Sequence, residues 1–312
     1  MSLFIKVYQK LAKIGSIFAG MLWRFWMLCI DGAGDSSIHK SIVICAIAKN
    51  EEAYLREWID YHLRLGFEKI YLYDNNDVES PALEDLLGDY ISANQLEIVD
   101  VRGKRGYQMR AYREFCREHF FDVSWCAFID VDEFITLQPP YTTIQEFLND
   151  VAAHGFREVF LNWEIYGDNG LLYNSPEPVL ERFTKPVEGC YLPLFIKSIA
   201  RIQDVVYFST PHFGYCAGRI CRSDFRLVRH PRNNMEEPIY QNAFIRHYFT
   251  KTLEEFLLNK LKRGCSMGSK TYFTDRLKDF YQINDRTPEK EALEQRFIEE
   301  YFPEHARKEL SD

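Results

Sequence analysis

Trp125-Cys-Ala-Phe-Ile-Asp-Val-Asp-Glu-Phe-Ile135 is an apolar run that breaks into acid. The segment Trp125–Ile129 predicts a buried β-strand, with Asp130 and Asp132 following at its carboxyl end. Side chains alternate along a strand, so two acids two positions apart point the same way. Converging carboxylates suit a hard divalent cation, and Mg²⁺ takes one or two of them together with substrate phosphates. Ligands of open α/β sheets bind beyond the carboxyl ends of the strands. Asp130 and Asp132 are therefore candidate ligands of a metal–diphosphate site. Asp-x-Asp pairs also occur as solvated or capping acids, and this chain has 46 acidic residues. What distinguishes the pair is its position after a fourth buried-looking strand.

The three earlier strands read as Ser41–Ala48, Lys69–Tyr73 and Leu96–Val101. Between the first two, Tyr54, Leu55, Trp58, Ile59, His62 and Leu65 recur at helical spacing, and Gly66 stops the helix. Asn50 is expected as its N-cap, with Glu51 and Glu52 in the first turn. Pro81–Tyr90 and Tyr107–Phe121 are further expected helices. Strands alternating with helices at this spacing predict βαβ units and a mostly parallel, Rossmann-like sheet. After Pro139-Pro140 the alternation weakens. A helix over Tyr141–Ala153, a strand over Glu158–Asn162 and irregular strands over 171–235 are expected. Thr252-Leu-Glu-Glu255 is a capping box, with Gly264 ending its helix, and Pro288 opens the last helix. The expected organisation is an N-terminal segment and linker over 1–38, a main domain over 39–290 and a C-terminal helix or tail over 291–312.

The chain of 312 residues carries a net charge of −8, which argues against nucleic acid as a partner. Basic residues nonetheless cluster at 102–113 and 219–232. The eight cysteines form no C-x-x-C pair, and His212, Cys216 and Cys221 match no common zinc spacing. A reducing, cytoplasmic setting is expected. Lys6, Lys10 and Lys13 precede an apolar stretch over 14–30 that Arg24 interrupts. With Trp23 and Trp26 it suits an amphipathic helix at a membrane interface rather than a bilayer span. A disordered or packed N-terminal helix is the alternative, and a signal sequence fits less well because Asp31-Gly-Ala-Gly34 is a poor cleavage site.

Several other residues sit where a nucleotide would bind. Asn50 and Glu51 lie at the first strand–helix turn, a natural anion site. Asp74 ends the second strand, where it either meets a base or ribose or makes an Asx turn. Gln108 and Arg110 open a helix after the basic loop carrying Arg105, and both arginines are candidates for a diphosphate. A solvated basic loop is the alternative.

Taken in order, Lys49-Asn-Glu-Glu52, Glu57-Trp-Ile-Asp-Tyr-His62, Ile70-Tyr-Leu-Tyr-Asp-Asn75 and Phe128-Ile-Asp-Val-Asp-Glu-Phe134 resemble the glycosyltransferase family 92 and family 2-like group. Asn162-Trp163, Gly167-Asp-Asn-Gly170, Pro211-His212 and Ile245-Arg-His-Tyr-Phe-Thr-Lys251 extend the resemblance over roughly 41–290. The resemblance implies a GT-A fold with an acceptor-side extension and C-terminal helices. It implies a nucleotide-sugar donor, most often a UDP-sugar, a glycan or glycolipid acceptor, and inversion. Galactose is the family-level guess for the sugar. Mn²⁺, or Mg²⁺, would be held by Asp130, Asp132 and a later histidine, with His247 the first choice and His212 the second. Asn50, Glu51 and Asp74 would lie near the nucleoside, and Lys251 would neutralise the departing diphosphate. Glu164 and Asp168 are the candidate general bases, and Trp163 and Tyr166 either stack on an acceptor sugar or belong to the core. A phosphatase of the Asp-x-Asp type fits less well, since Phe134 stands where that motif needs Thr. A non-catalytic nucleotide- or sugar-binding protein of the same fold is the other reading.

Overall fold

The computed structural model describes residues 15, 17–25, 41–189, 192–261 and 272–301. Its centre is a ten-stranded sheet of order β11-β10-β6-β7-β4-β1-β2-β3, with β12 joined to β6 and β5 joined to β12. The strands of the first half are β1 (Ser41–Ala48), β2 (Lys69–Asp74), β3 (Leu96–Asp100) and β4 (Val123–Phe128). All four pair in parallel. Helices α1 (Glu52–Arg64) and α2 (Gln108–Glu118) cover opposite faces. Alternation along β1 explains this directly. Ile42, Ile44 and Ala46 pack with Leu55, Trp58 and Ile59 of α1. Val43 and Cys45 pack with Ala111, Tyr112 and Phe115 of α2. Each large side chain so buried contributes on the order of 2–3 kcal/mol. The expected α/β fold, with a parallel first half, is the one observed.

The second half is mixed. β5 (Glu133–Leu137), β6 (Phe156–Ile165), β7 (Ile196–Arg201), β10 (Arg219–Arg222), β11 (Leu227–Val228) and β12 (Ala243–His247) complete the large sheet. β8 (Val205–Phe208) and β9 (Gly214–Cys216) form a separate hairpin. β7 runs antiparallel between β4 and β6. β6 is longer than expected. Its first part pairs with β7 and β10, and its last residues, Trp163–Ile165, pair with β12. Helix α3 (Ile144–Ala153) starts at a Thr143–Glu146 capping box. The expected Thr252–Glu255 box is also present, leading into a π-helical turn over Phe256–Leu261. Gly264 lies outside the described residues. Helices α4 (Tyr272–Ile283) and α5 (Pro288–Tyr301) close the chain.

Three local expectations are corrected. β4 ends before Ile129, so Asp130 and Asp132 lie in the β4–β5 turn rather than on the strand. Asn50 is not a cap: it takes a left-handed conformation (φ 56°), and Glu51 precedes the first turn of α1. The boundary expected at 290 falls inside α5, whose Phe297 packs against the Phe256 and Phe280 cluster.

Residues 17–25 are helical and touch the domain along one side. Trp23 packs edge-on against Phe120, and Arg24 binds Asp204 at 2.9 Å and the Gln203 carbonyl at 2.7 Å. Gly20 lies so close to the Val206 carbonyl that a Cβ there would clash. Phe18, Met21, Leu22 and Phe25 face solvent. Among the described residues, no helix is long and apolar enough to cross a membrane.

Candidate active site

The β4–β5 turn is built from its own acids. The Glu133 N–H donates to the Asp130 carbonyl at 3.1 Å, and the Asp130 N–H donates to Glu133 Oε2 at 2.9 Å. The turn thus presents Asp130 and Asp132 at the carboxyl edge of the parallel sheet. Around it the fold gathers side chains from five other elements.

Asp130 is the more open acid, its side chain 35% exposed, and both its oxygens have partners. Gln108, at the first position of α2, donates its amide to Oδ1 at 2.7 Å. Lys197 of β7 donates to Oδ2 at 2.7 Å and lies 3.7 Å from Glu133. Lys197 is 1% exposed. Burial alone would lower its ammonium, but Asp130 and Glu133 more than offset that and hold it above the ordinary lysine value. Glu133 is buried without enough compensation. Desolvation pushes its carboxyl well above the usual range despite Lys197.

Asp132 is buried and faces a lysine and a histidine, whose ring burial holds below the ordinary histidine value. Lys260 approaches Oδ2 to 2.5 Å, and His247 Nε2 lies 3.5 Å from Oδ1. Burial opposes the charged carboxylate, yet Lys260 and His247 hold it well below the usual range. His247 is positioned by β12, whose neighbour Tyr248 donates its N–H to the Asp132 carbonyl at 2.9 Å. The His247 ring packs 4.2 Å from Trp163. His247 Nδ1, Trp163 Nε1 and Glu133 Oε1 are buried with no hydrogen-bond partner in the protein. Such atoms are rare in folded proteins and mark places where further polar groups bind. His212, the second-choice histidine, gives Nδ1 to the Ile196 carbonyl at 2.9 Å and stacks near Trp163 and Phe195. Burial and Lys197 push it down to about 4.

The structure brings Asp130, Asp132 and His247, expected as metal ligands, near one another, and places Gln108, expected at the nucleotide sugar, on Asp130. It adds Lys197, Lys260 and Glu133, which sequence reasoning did not select. The available signal was a lone lysine inside the apolar run Ile196-Lys-Ser-Ile-Ala200.

The other expected residues have other partners. Lys251 (φ 53°) is buried, with Nζ 3.5 Å from Glu51 and 4.1 Å from the Tyr54 ring centre. The pair ties the β1–α1 turn to the start of the 253–261 segment. Both Asp74 oxygens accept backbone N–H groups, from Asn76 at 3.0 Å and Leu83 at 3.3 Å, which is the Asx-turn alternative. Asn76 in turn accepts the Asn50 N–H at 2.8 Å. Arg105 is exposed, and Arg110 is exposed and paired with Glu114 at 2.7 Å.

Neither base candidate joins the cluster. His247 is in register with Ile165 of β6, so Glu164, one residue earlier, points to the opposite face with Arg246. It accepts from the Tyr166 hydroxyl at 2.7 Å. Asp168 is a turn residue: Oδ1 accepts the Gly170 N–H at 2.8 Å, and Oδ2 lies 2.5 Å from Lys290.

The family model for glycosyltransferase family 92 matches residues 40–166. A glycosyltransferase family 92 protein of Oryza sativa subsp. japonica is 28% identical over 113 residues, 36% of this chain and 19% of its own. A family 92 protein of Ricinus communis is 28% identical over 149 residues, 45% of this chain and 25% of its own. The chain thus spans a quarter or less of the length of these relatives. Among solved structures, S. aureus TarS 1-349 in complex with UDP superposes with a TM-score of 0.40 at 14% identity, covering 85% of this chain and 82% of that one. The same TarS fragment in complex with UDP-GlcNAc gives 0.37 at 14% identity, over 84% and 80%. Residues 40–166, which run from β1 to β6 and carry the acidic turn, are thus the part of the chain that is similar to glycosyltransferase family 92.

Proposed function

We propose that this chain is a metal-dependent glycosyltransferase that moves a sugar from a UDP-sugar to a hydroxyl of a glycan or glycolipid, with inversion. The family resemblance makes galactose the first sugar to test. The observation that carries the reading is the meeting of Asp132 and His247 at the carboxyl edge of the parallel strands, beside the partly open Asp130.

The residues fit a divalent cation. Asp132 Oδ1 and His247 Nε2, 3.5 Å apart, suit Mn²⁺ better than the oxygen-seeking Mg²⁺, and such an ion completes its shell with water and phosphate oxygens. Among the described residues no third His, Cys, Asp or Glu converges on the same point. A cation held there would stabilise negative charge on a departing diphosphate. The protein's own groups prepare the place. Lys260 and His247 keep Asp132 ionised in a buried position. Lys197 and Gln108 fix both Asp130 oxygens, so that acid presents a set orientation without a folding rearrangement. The Glu51–Lys251 pair holds the β1–α1 turn, where the first strand ends.

Thermal melting with nucleoside diphosphates, with and without Mn²⁺, tests the reading by mass action. A rise with UDP that requires Mn²⁺ is the expected result. A rise with another nucleotide would change the donor. No shift with any nucleotide would favour a non-catalytic glycan-binding protein.

We further infer peripheral membrane contact through residues 17–25. Phe18, Met21, Leu22 and Phe25 are exposed on a helix whose other side is docked by Trp23 and Arg24. Exposed aromatic and aliphatic side chains at helical spacing suit the headgroup boundary. A chain starting near Ser36 should lose co-sedimentation with anionic liposomes. Equal co-sedimentation would remove the helix from that role.

A further inference from the structure

We propose that a basic cavity beside β10 and β11 binds the phosphate of a phosphate ester and thereby holds an anionic acceptor. Only the word acceptor rests on the transferase reading; the anion site stands on its own geometry. The cavity, of about 330 Å³, is lined by Arg222, Arg226, Arg229, His230 and Arg232. It falls in the size range of small-molecule sites, roughly 300–1,000 Å³.

This concentration of positive charge runs against the rest of the protein. The chain carries −8, yet 219–232 contains five arginines and one aspartate. Part of that charge is balanced. Arg226 pairs with Asp224 at 3.0 Å, and Arg222 and Arg226 each lie 3.8 Å from Glu237. Glu236 is the one acid in the cavity lining. Arg229, His230 and Arg232 are exposed, and no hydrogen bond or ion pair joins them to the described residues. Arg222 is 9% exposed, and its Nε is buried with no acceptor in the protein. Asn162 and the Glu237 carbonyl thus fix one guanidinium of the cavity wall, while the exposed Arg229, His230 and Arg232 stand ready for an anion.

Guanidinium groups match phosphate and carboxylate oxygens in a two-pronged geometry. Several of them around one cavity favour a multiply charged oxyanion over a lone carboxylate. Val228 and Met235 add apolar wall, suited to a sugar or acyl-glycerol body beside the phosphate.

The location connects the cavity to the acidic turn. Arg222 ends β10, which runs parallel to β6. Its Nη2 donates to Asn162 Oδ1 at 3.3 Å, and Asn162 precedes Trp163, whose ring lies 4.2 Å from His247. β10 and β12 both line the edge of β6 away from β7, so the cavity and His247 follow one another along that strand. An acceptor bearing a phosphate would be held in the cavity while a hydroxyl elsewhere on it approaches the transfer site.

The test uses the full chain, a hexose phosphate and inorganic phosphate in calorimetric titrations, and vesicles of phosphatidylglycerol with phosphatidylcholine in co-sedimentation. Arg229→Glu/Arg232→Glu reverses two exposed charges that the fold does not need. The wild type should bind the hexose phosphate saturably, and the variant should lose about tenfold or more. UDP with Mn²⁺ should raise the melting temperature of both proteins alike. Vesicle binding that the variant loses, without hexose phosphate binding, would assign the same pocket to a lipid headgroup. No saturable binding in either arm, or equal binding by the variant, would overturn the proposal. Phosphate binding without any UDP response would remove the transferase reading and leave the anion site standing.

Discussion

Asp132 and Asp168 look alike by the usual measures. Each is 4% exposed, and each has a lysine 2.5 Å away, Lys260 for the first and Lys290 for the second. What differs is the company. Asp168 sits among turn contacts: its N–H donates to Asn284, Oδ1 accepts from Gly170, and Lys290 also donates to the Asp285 carbonyl. Asp132 stands among ionisable groups from several elements, with His247 and Lys260 facing it and Asp130, Glu133 and Lys197 alongside. Burial and a paired lysine therefore do not identify a functional carboxylate. Convergence of more titratable groups than the fold needs, at the carboxyl edge of the sheet, does.

Substituting the two acids should break the resemblance in opposite ways. Asp132→Asn is expected to lower turnover about a hundredfold or more and to abolish Mn²⁺-dependent UDP binding. Its melting temperature should stay close to that of the wild type, because the neighbouring lysine remains partly hydrated. Asp168→Asn should do the reverse. It leaves Lys290 buried without its partner, a loss of roughly 3–5 kcal/mol, while the affinity for UDP with Mn²⁺ is kept by the molecules that remain folded. Calorimetry of UDP binding beside thermal melts separates the two. Unchanged UDP affinity in Asp132→Asn would take that residue out of the site.

The lysines sharpen the same contrast with a smaller effect. Lys260→Met and Lys290→Met each leave a buried carboxylate short of a cation. At Asp132 a divalent ion can take the lysine's place, since His247 already faces the same carboxylate. At Asp168 the carboxylate meets the Gly170 N–H and Lys290, and no histidine faces it among the described residues. Mn²⁺ should therefore restore the melting temperature of Lys260→Met and leave Lys290→Met unimproved. Equal responses to Mn²⁺ would mean that the two lysines do the same structural job.

The parallel half was legible because β1 is buried on both faces and so reads as a nearly unbroken apolar run, and because Gly66 marks the end of α1 by backbone chemistry. The acidic turn was legible from its place after the fourth strand, although alternation was the wrong reason for the convergence. His247 was reached through family resemblance, since one histidine in an apolar strand carries no spacing signal. Lys197 and Lys260 were missed because lysine in a sequence ordinarily reads as surface. Lys290 lies far along the chain from Asp168, so the pair that makes Asp168 structural is invisible to local patterns. Arg110 shows the opposite error: a basic helix start suggested diphosphate, but the side chain lies on the outward face with Glu114.

A third buried carboxyl, Glu158 of β6, completes the comparison because no lysine or arginine is paired with it among the described residues. Oε1 accepts the Gly214 N–H at 3.3 Å, and the side chain is fully buried. Desolvation pushes its pKa up to about 8. The sign of the consequence is fixed by linkage. The folded state holds the proton more tightly than the unfolded chain, so the stabilisation is complete in acid below the unfolded pKa and is lost as pH rises through the folded value. Between about pH 6 and about pH 8 the loss is on the order of 2 kcal/mol. Melting temperature should fall across that range in the wild type and fall less in Glu158→Gln, which stays neutral. Asp132, held low by Lys260 and His247, should show no such alkaline loss, so equal pH profiles for the wild type and Glu158→Gln would mean that an uncharged partner is enough to keep a buried carboxylate ionised here.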